Sequence, residues 1–186
     1  MSELSNLGKK FNTDKEYDHS FCNFYENHLS SVRYQNLKIL ELGIWDGASL
    51  KMWKEYFPNS SIFGVDINPI KVINEDRIKT FIFNAGDENL LSNFNKIYGP
   101  FDIVIDDASH FTNHQWVSWR VFSENCKIFI WEDLHTSRIS HYITGVGLEG
   151  LLPLDYAKKL SLSNDNCYLF DKDNDEKHVT FLKINK

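Results

Sequence analysis

The sequence predicts a doubly wound α/β fold, in which parallel strands form a sheet and helices cover both of its faces. Short apolar runs alternate with longer segments of helical periodicity, and this order indicates parallel strands joined by right-handed crossovers. The runs are nearly continuous in Ile, Val, Leu and Phe, as expected of strands covered on both faces. The predicted strands are residues 38–42, 61–65, 79–83, 101–105 and 126–131.

The helices between these strands are predicted over residues 47–57, 87–97 and 112–122. The last of them opens with Thr112, a residue type that caps helix N-termini, and has a broad apolar face. Near the end of the chain, strand-like runs at 167–170 and 178–184 are joined by the polar segment DKDNDEK, which is typical of a hairpin. We therefore expect the parallel sheet to finish with an antiparallel C-terminal hairpin.

The chain of 186 residues and 21.8 kDa is predicted to be one domain, because no repeat, linker or change of composition divides it. Residues 1–36 are expected to form an N-terminal helical extension, and residues 37–186 the α/β core. Within the extension, residues 19–32 have apolar side chains at helical spacing, which predicts a helix packed on the core. Residues 134–150 contain three glycines and are long enough to form a lid.

Composition and charge exclude several classes of partner. The formal net charge is −6, the pI is about 5.6, and Lys and Arg form no run, so nucleic acid is not an expected partner. No stretch approaches the ~18 apolar residues of a membrane span, and we expect no membrane partner. Three widely spaced cysteines, Cys22, Cys126 and Cys167, indicate buried free thiols and a cytoplasmic location. These observations are compatible with a homo-oligomer.

A turn with two glycines, ELGIWDGASL at 41–50, follows the first predicted strand. Gly43 and Gly47 would let a ligand approach the backbone, and the N–H groups of the following helix would face that ligand. Glu41 could accept hydrogen bonds from the amino group of a zwitterionic ligand. A tight turn explains two glycines equally well. The second strand, however, ends in GVDI, where Asp66 is placed to bind the hydroxyls of an adenosine ribose.

This combination fits either a nicotinamide dinucleotide or S-adenosylmethionine. A dinucleotide usually requires the fuller G-x-G-x-x-G turn for its pyrophosphate, and the sequence lacks that turn. S-adenosylmethionine has no pyrophosphate, so the looser turn suits it better. Asp87, after the third strand, could hold the adenine amino group. Alternatively, Asp87 is only the N-cap of the next helix.

Two acidic pairs follow neighbouring strands, Asp106 and Asp107 in IDDASH and Glu132 and Asp133 in IWEDLH. The carboxyl ends of parallel strands meet at one edge of the sheet, where four carboxylates would repel one another without a cation. Oxygen ligands in that number suit Mg²⁺, Mn²⁺ or Ca²⁺ rather than zinc. His110 would stand beside the cation as a candidate general base.

A structural interpretation of the same segments stays open. Asp107 and Ser109 could cap the next helix, while Glu132 and Asp133 could belong to a solvated loop. Matched acidic pairs at the ends of two adjacent strands make this the weaker interpretation.

The motifs resemble the metal-dependent sugar O-methyltransferases, a family typified by the mycinamicin-type macrolide enzyme, with related bacterial polysaccharide-modifying enzymes. The matching segments span about residues 8–137 and occur in the family's order. They are FNTDK, FYENHL, ELGIWDGASL, GVDI, GDENLL, IDDASH and WEDLHTS. The most specific part is IDDASH followed by WEDLHTS.

The resemblance implies a Rossmann-like Class I methyltransferase fold and O-methylation of a sugar hydroxyl, with S-adenosylmethionine and a divalent metal, Mg²⁺. It implies that Asp107, Glu132 and Asp133 bind the metal and that His110 is the catalytic base. The residues expected to contact S-adenosylmethionine are Thr13, Lys15, Tyr25, Glu41, Gly43, Asp66, Asp87 and Asp106.

The chain departs from the family pattern at two positions. Ala108 stands where glycine is typical, which is tolerated unless that position needs a positive φ. Phe111 stands where a second histidine is common. The acceptor stays open between a nucleotide-linked sugar, a glycan and a glycosylated natural product. Two alternative functions also stay open, a nicotinamide-dependent oxidoreductase on the same sheet and a non-catalytic S-adenosylmethionine-binding module.

Overall fold

The computed structural model describes residues 2–69, 73–174 and 176–185. The strands in these ranges are β1 (Lys38–Leu42), β2 (Ser61–Asp66), β3 (Ile78–Ile82), β4 (Ile103–Asp106), β5 (Ile128–Trp131), β6 (Cys167–Asp171) and β7 (Val179–Ile184). They form one sheet in the order β3-β2-β1-β4-β5-β7-β6. Strands β1 to β5 pair in parallel, and β7 pairs antiparallel with both β5 and β6. The predicted parallel sheet with a C-terminal antiparallel hairpin is confirmed.

The α-helices in the described ranges are α1 (Glu3–Phe11), α2 (Asp14–Tyr17), α3 (Cys22–Leu29), α4 (Ala48–Tyr56), α5 (Glu88–Tyr98), α6 (Thr112–Phe122) and α7 (Pro153–Ser163). Short 3₁₀ helices lie at Ser30–Val32, Leu134–Arg138, Ser140–Tyr142 and Leu148–Gly150. Among the helices that the structure describes, none combines the length and apolar character needed to cross a membrane.

Helices cover both faces of the sheet, as predicted, and each face has its own apolar core. On one face, α3 and α4 bury Tyr25 and Trp53 against the strands. On the other, α5, α6 and α7 bury Phe94, Trp116 and Leu154. The three cysteines are buried and free, which confirms the prediction of buried thiols.

Helix α7 was not predicted, although the sequence contains a signal for it. Pro153 occupies the first turn of the helix, where its missing N–H costs nothing. Leu154 and Ala157 then follow at a spacing of three and are fully buried. The other residues of the segment are mostly polar or exposed, and they hide the helical pattern.

The predicted N-cap role of Thr112 is wrong, because Thr112 is already the first residue of α6 and Phe111 is the N-cap. The Thr112 hydroxyl instead donates to the Gly145 carbonyl oxygen at 2.8 Å and accepts from the N–H groups of Thr144 and Gly145. Thr112 therefore ties the segment that follows β5 to the start of α6.

Candidate active site

A cavity of about 680 Å³ opens beyond the carboxyl ends of β1, β2 and β4, the edge at which α/β sheets bind ligands. Its wall includes Thr13, Asp66, Asp107, His110 and Asp133. A second cavity of about 350 Å³ adjoins it and shares three wall residues with it, which are Gly43, Asp66 and Ala108. The second wall is more apolar and contains residues of the turns after β2 and β3. Its apolar and aromatic residues include Val65, Ile67, Phe83, Ala85 and Phe111.

The turn after β1 needs glycine at Gly43. This residue has a φ of +83°, and a Cβ atom there would lie 2.1 Å from the Asp107 carbonyl oxygen. Only glycine therefore lets the end of β1 approach the end of β4 so closely. Ala108, the residue after Asp107, does not have a positive φ. Alanine in place of the family's glycine is thus tolerated there.

Asp66 lies at the junction of the two cavities. Its Oδ2 atom accepts the Ile44 N–H at 3.0 Å, and its Oδ1 atom accepts the Asn68 N–H at 2.8 Å. These backbone donors fix the carboxylate between the turn after β1 and its own turn after β2. The position is the one expected for a group that binds ribose hydroxyls.

Two carboxylates predicted on the cofactor side do not line either cavity. Asp87 is exposed and is the N-cap of α5, where its Oδ1 atom accepts the Asn89 and Leu90 N–H groups. The N-cap alternative is therefore confirmed, and a contact to adenine stays a prediction. Asp106 is 5% exposed and accepts a hydrogen bond from the Ser118 hydroxyl of α6. Burial raises the pKa of Asp106 to about 6.

Strand geometry separates Asp106 from three other carboxylates. Residues two apart in a strand point to the same face of the sheet. Each of the three carboxylates lies two residues after an isoleucine that belongs to the core under α3 and α4. The pairs are Glu41 after Ile39, Asp107 after Ile105, and Glu132 after Ile130. Asp107 and Glu132 lie just beyond β4 and β5, where their N–H groups continue the ladder. Glu41, Asp107 and Glu132 therefore converge on one face.

Lys15 of α2 lies at the centre of this convergence. Its Nζ atom is 2.5 Å from Asp107 Oδ2, 2.9 Å from Glu132 Oε2 and 3.2 Å from Glu41 Oε1. Lys15 and Glu132 are each 1% exposed, so the ammonium and the Glu132 carboxyl group are shielded from water beneath the cavity. Tyr25 is also fully buried there and hydrogen-bonds the Thr180 hydroxyl at 3.0 Å. Of the three N-terminal residues predicted near the cofactor, only Thr13 lines the cavity.

Burial and charge act in opposite directions on these groups. Burial alone would lower the pKa of Lys15, but the carboxylates of Asp107, Glu132 and Glu41 raise it well above its usual value. Burial raises the pKa values of Glu41 and Glu132, and the Lys15 ammonium opposes that shift. Lys15 therefore stays charged, with three carboxyl groups around one ammonium.

A compact group that could hold a cation consists of Asp107, His110 and Asp133, whose ligand atoms all lie within 4.8 Å of one another. His110 Nε2 is 3.5 Å from Asp133 Oδ2 and 4.0 Å from Asp107 Oδ1. His110 and Asp133 have φ values of 58° and 52°, and such left-handed backbone is strained for residues other than glycine. Strain of this kind clusters at functional sites.

The donor set fits a hard divalent cation. Glu132 Oε1 and Asp133 Oδ1 are buried and have no hydrogen-bond partner in the described structure. Buried oxygens normally have a partner, and a cation would supply one. Glu132 lies outside the compact group, and Lys15 holds its Oε2 atom. Two of the three predicted metal ligands are thus gathered with His110, and the third offers one free oxygen.

Sequence reasoning overlooked a group of histidines around Asp133. His19 Nδ1 and His135 Nδ1 lie 3.7 and 3.9 Å from Asp133 Oδ1. His178 Nδ1 lies 2.9 Å from His19 Nδ1. The predicted topology does indicate a position for His178. It precedes β7, which runs antiparallel to β5 and therefore starts at the carboxyl end of β5. No local sequence pattern predicts that His19 lies near Asp133.

The sequence matches a known protein family. The model of the FtsJ-like methyltransferase family matches residues 21–126, more than half of the chain. The chain belongs to the FtsJ-like methyltransferase family. The nicotinamide-dependent alternative therefore loses its support, and the Class I methyltransferase fold inferred from the motifs is confirmed.

Individual relatives agree with the motif resemblance. The chain is 38% identical over 151 residues to an 8-demethyl-8-(2-methoxy-alpha-L-rhamnosyl)-tetracenomycin-C 3'-O-methyltransferase of Streptomyces olivaceus, covering 75% of this chain and 39% of the relative. It is 34% identical over 146 residues to the mycinamicin VI 2''-O-methyltransferase of Micromonospora griseorubida, covering 73% and 37%. The chain thus spans less than two fifths of these curated relatives. The predicted resemblance to sugar O-methyltransferases is confirmed.

A solved structure of a family relative is also similar. The MycE methyltransferase of the mycinamycin biosynthetic pathway, in complex with Mg, SAH and mycinamycin VI, superposes with a TM-score of 0.83 at 28% identity. The match covers 100% of this chain and 55% of that chain.

The close approach at Gly43 yields a stability prediction. Gly43→Ala should lower the free energy of unfolding by more than about 1 kcal/mol, because the new Cβ meets the Asp107 backbone and the φ is unfavourable. The matched control is Gly145→Ala, whose Cβ would lie 3.8 Å from Asn113 Cβ and should change stability by less than about 1 kcal/mol. Urea denaturation measures both, and equal effects would contradict the constraint.

Proposed function

We propose that the chain transfers a methyl group from S-adenosylmethionine to a sugar hydroxyl of a glycosylated small molecule, with a divalent cation, Mg²⁺, and His110 as the general base. One observation carries this proposal. A single cavity edge holds Asp66, at the junction with the apolar cavity, and the carboxylates of Asp107 and Asp133 beside His110.

The two cavities suit the two ends of S-adenosylmethionine. The smaller, more apolar cavity fits a flat adenine ring, and Asp66 at the junction would accept both ribose hydroxyls. The turn at Gly43 leaves room for the methionine end. Glu41 lies beneath the cavity and accepts a hydrogen bond from the Ser49 hydroxyl at 2.7 Å. Because Ser49 lines the cavity, Glu41 would act on the cofactor through it. MycE, described as a complex with SAH, supports this assignment.

Asp107 and Asp133, together with the free Oε1 atom of Glu132, would hold the cation. Mg²⁺ prefers oxygen to imidazole, so His110 would remain free beside it rather than bind it. When bound, the cation lowers the pKa of a hydroxyl that it contacts and orients it. MycE, described as a complex with Mg, supports this choice of metal.

His110 faces the cavity from the strained turn after β4, where its Nε2 atom would remove the hydroxyl proton. Methyl transfer is an in-line displacement, so the acceptor oxygen, the methyl carbon and the sulfur must be aligned and water excluded. Residues 134–150 would serve as the lid that excludes water. Their attachment to Thr112 fixes one point of that segment.

The proposed acceptor is a glycoside, because the relatives carry names of enzymes that methylate glycosylated compounds. The direct experiment incubates the purified chain with labelled S-adenosylmethionine and a panel of glycosides, nucleotide sugars and glycans. Label in a glycoside supports the proposal. Cofactor binding without transfer to any member would favour the non-catalytic module.

Metal removal tests the cation. Exhaustive chelation should abolish methyl transfer, and Asp133→Ala should do the same while binding of S-adenosylhomocysteine persists, because the cation holds the acceptor rather than the cofactor. The exposed Asp165→Ala variant is the control and should keep its activity. Full turnover after chelation would show that the carboxylates are structural.

Cofactor affinity tests Asp66. Asp66→Ala should weaken binding of S-adenosylhomocysteine by about 10- to 150-fold, the equivalent of losing charge-assisted hydrogen bonds of roughly 1.5–3 kcal/mol. Calorimetry gives the affinity, and the exposed Asp76→Ala variant should match the parent. An unchanged affinity in folded Asp66→Ala would remove Asp66 from the site.

Turnover tests His110. It should fall by on the order of 10²–10⁴-fold in His110→Ala, because the hydroxyl loses the group that removes its proton. His28→Ala is the control, because His28 packs on Phe24 and Tyr168 away from the cavity. Near-normal turnover in His110→Ala would transfer the base role to another group.

A further inference from the structure

We propose that Lys15 is a positioning residue for the metal site, holding one oxygen of Asp107 and one of Glu132 so that the other oxygen of each stays available to the cation. This inference rests on the proposed cation site. Lys15 was expected from the sequence to contact the cofactor, but its ammonium lies beneath the cavity rather than in its wall.

The hydrogen bonds of Lys15 divide each carboxylate into a held oxygen and a free one. Nζ donates to Asp107 Oδ2 at 2.5 Å and to Glu132 Oε2 at 2.9 Å. The second oxygen of Glu132 is buried without a hydrogen-bond partner, and the second oxygen of Asp107 lies 4.0 Å from His110 Nε2. The ammonium thus fixes both side chains without occupying the oxygens that a cation would use.

Glu41 provides a third anchor for the ammonium. Its Oε1 atom is 3.2 Å from Lys15 Nζ, and its Oε2 atom is held by the Ser49 hydroxyl. Lys15 is 1% exposed, and its ammonium contacts carboxyl groups from three neighbouring strands. The ammonium therefore cannot move with one of them without losing its contacts with the others. Because Lys15 is buried, its removal would leave buried charges without their partner.

In the opposite role, the Lys15 ammonium would compete with the metal for its site. A competitor would occupy the cation's own position, and its removal would strengthen metal binding. If Lys15 is a positioning residue, its removal would instead weaken metal binding, because Asp107 and Glu132 would lose the contact that fixes their side chains. The sign of the change in metal affinity therefore separates the two roles.

The test measures Mn²⁺ binding by the electron paramagnetic resonance of free Mn²⁺. Lys15→Met should bind Mn²⁺ about 10- to 100-fold more weakly than the parent, as is typical when a partner of metal ligands is lost. Lys10→Met is the matched control, because Lys10 pairs with the exposed Glu55, and it should bind like the parent. Unchanged or tighter binding in folded Lys15→Met would overturn the proposal.

If Lys15→Met does not fold, a second pair of variants tests the proposal. The double variant Lys15→Met/Glu132→Gln removes one positive and one negative buried charge, so its net charge stays balanced. It should bind Mn²⁺ about 10-fold more weakly than Glu132→Gln alone, because Asp107 loses its anchor. Equal affinities of the two would overturn the role of Lys15. A parent chain that binds no Mn²⁺ and transfers no methyl group would contradict the proposed function as well.

Discussion

The buried contact between one ammonium and three carboxylates is the interaction on which the site depends. Glu41 lies near the end of β1, and Asp107 and Glu132 follow β4 and β5. Burying the three together without a cation would be strongly unfavourable. Lys15 supplies that cation from a short helix 92 residues before Asp107 and 117 before Glu132. The geometry of the site therefore requires the N-terminal helices to pack on the sheet.

The alternation of strand residues decides what each acidic residue does. Asp106 and Asp107 are adjacent, yet Asp106 points to Ser118 of α6 and Asp107 points to Lys15. Glu132 continues the face of β5 that meets Lys15, whereas Asp133 leaves the strand in a left-handed conformation and faces the cavity. Asp106 is thus paired with α6, and Asp107 and Glu132 are joined by Lys15. Asp107 and Asp133 both line the cavity.

The sequence predicted the sheet well, because apolar runs and a polar hairpin loop are local signals. It also predicted that Asp66, Asp107, His110 and Asp133 would meet, since residues after parallel strands share an edge. It did not predict the pairing of Lys15 with Glu132, because contacts across such separations leave no local pattern. Thr112 was misassigned as a cap for a related reason, since its hydroxyl bonds a carbonyl 33 residues later.

The two halves of the cavity are built in different ways, and this difference bears on specificity. The half around Asp66 is set by backbone, namely the N–H groups that fix its carboxylate and the glycine turn at Gly43. The half around Asp133 is set by side chains from separate segments, including His19 before α3 and His178 before β7. On the proposed function, substitutions in those segments would change the acceptor side while the backbone around Asp66 stays intact. Changes of acceptor within one methyltransferase fold therefore need not disturb the cofactor side.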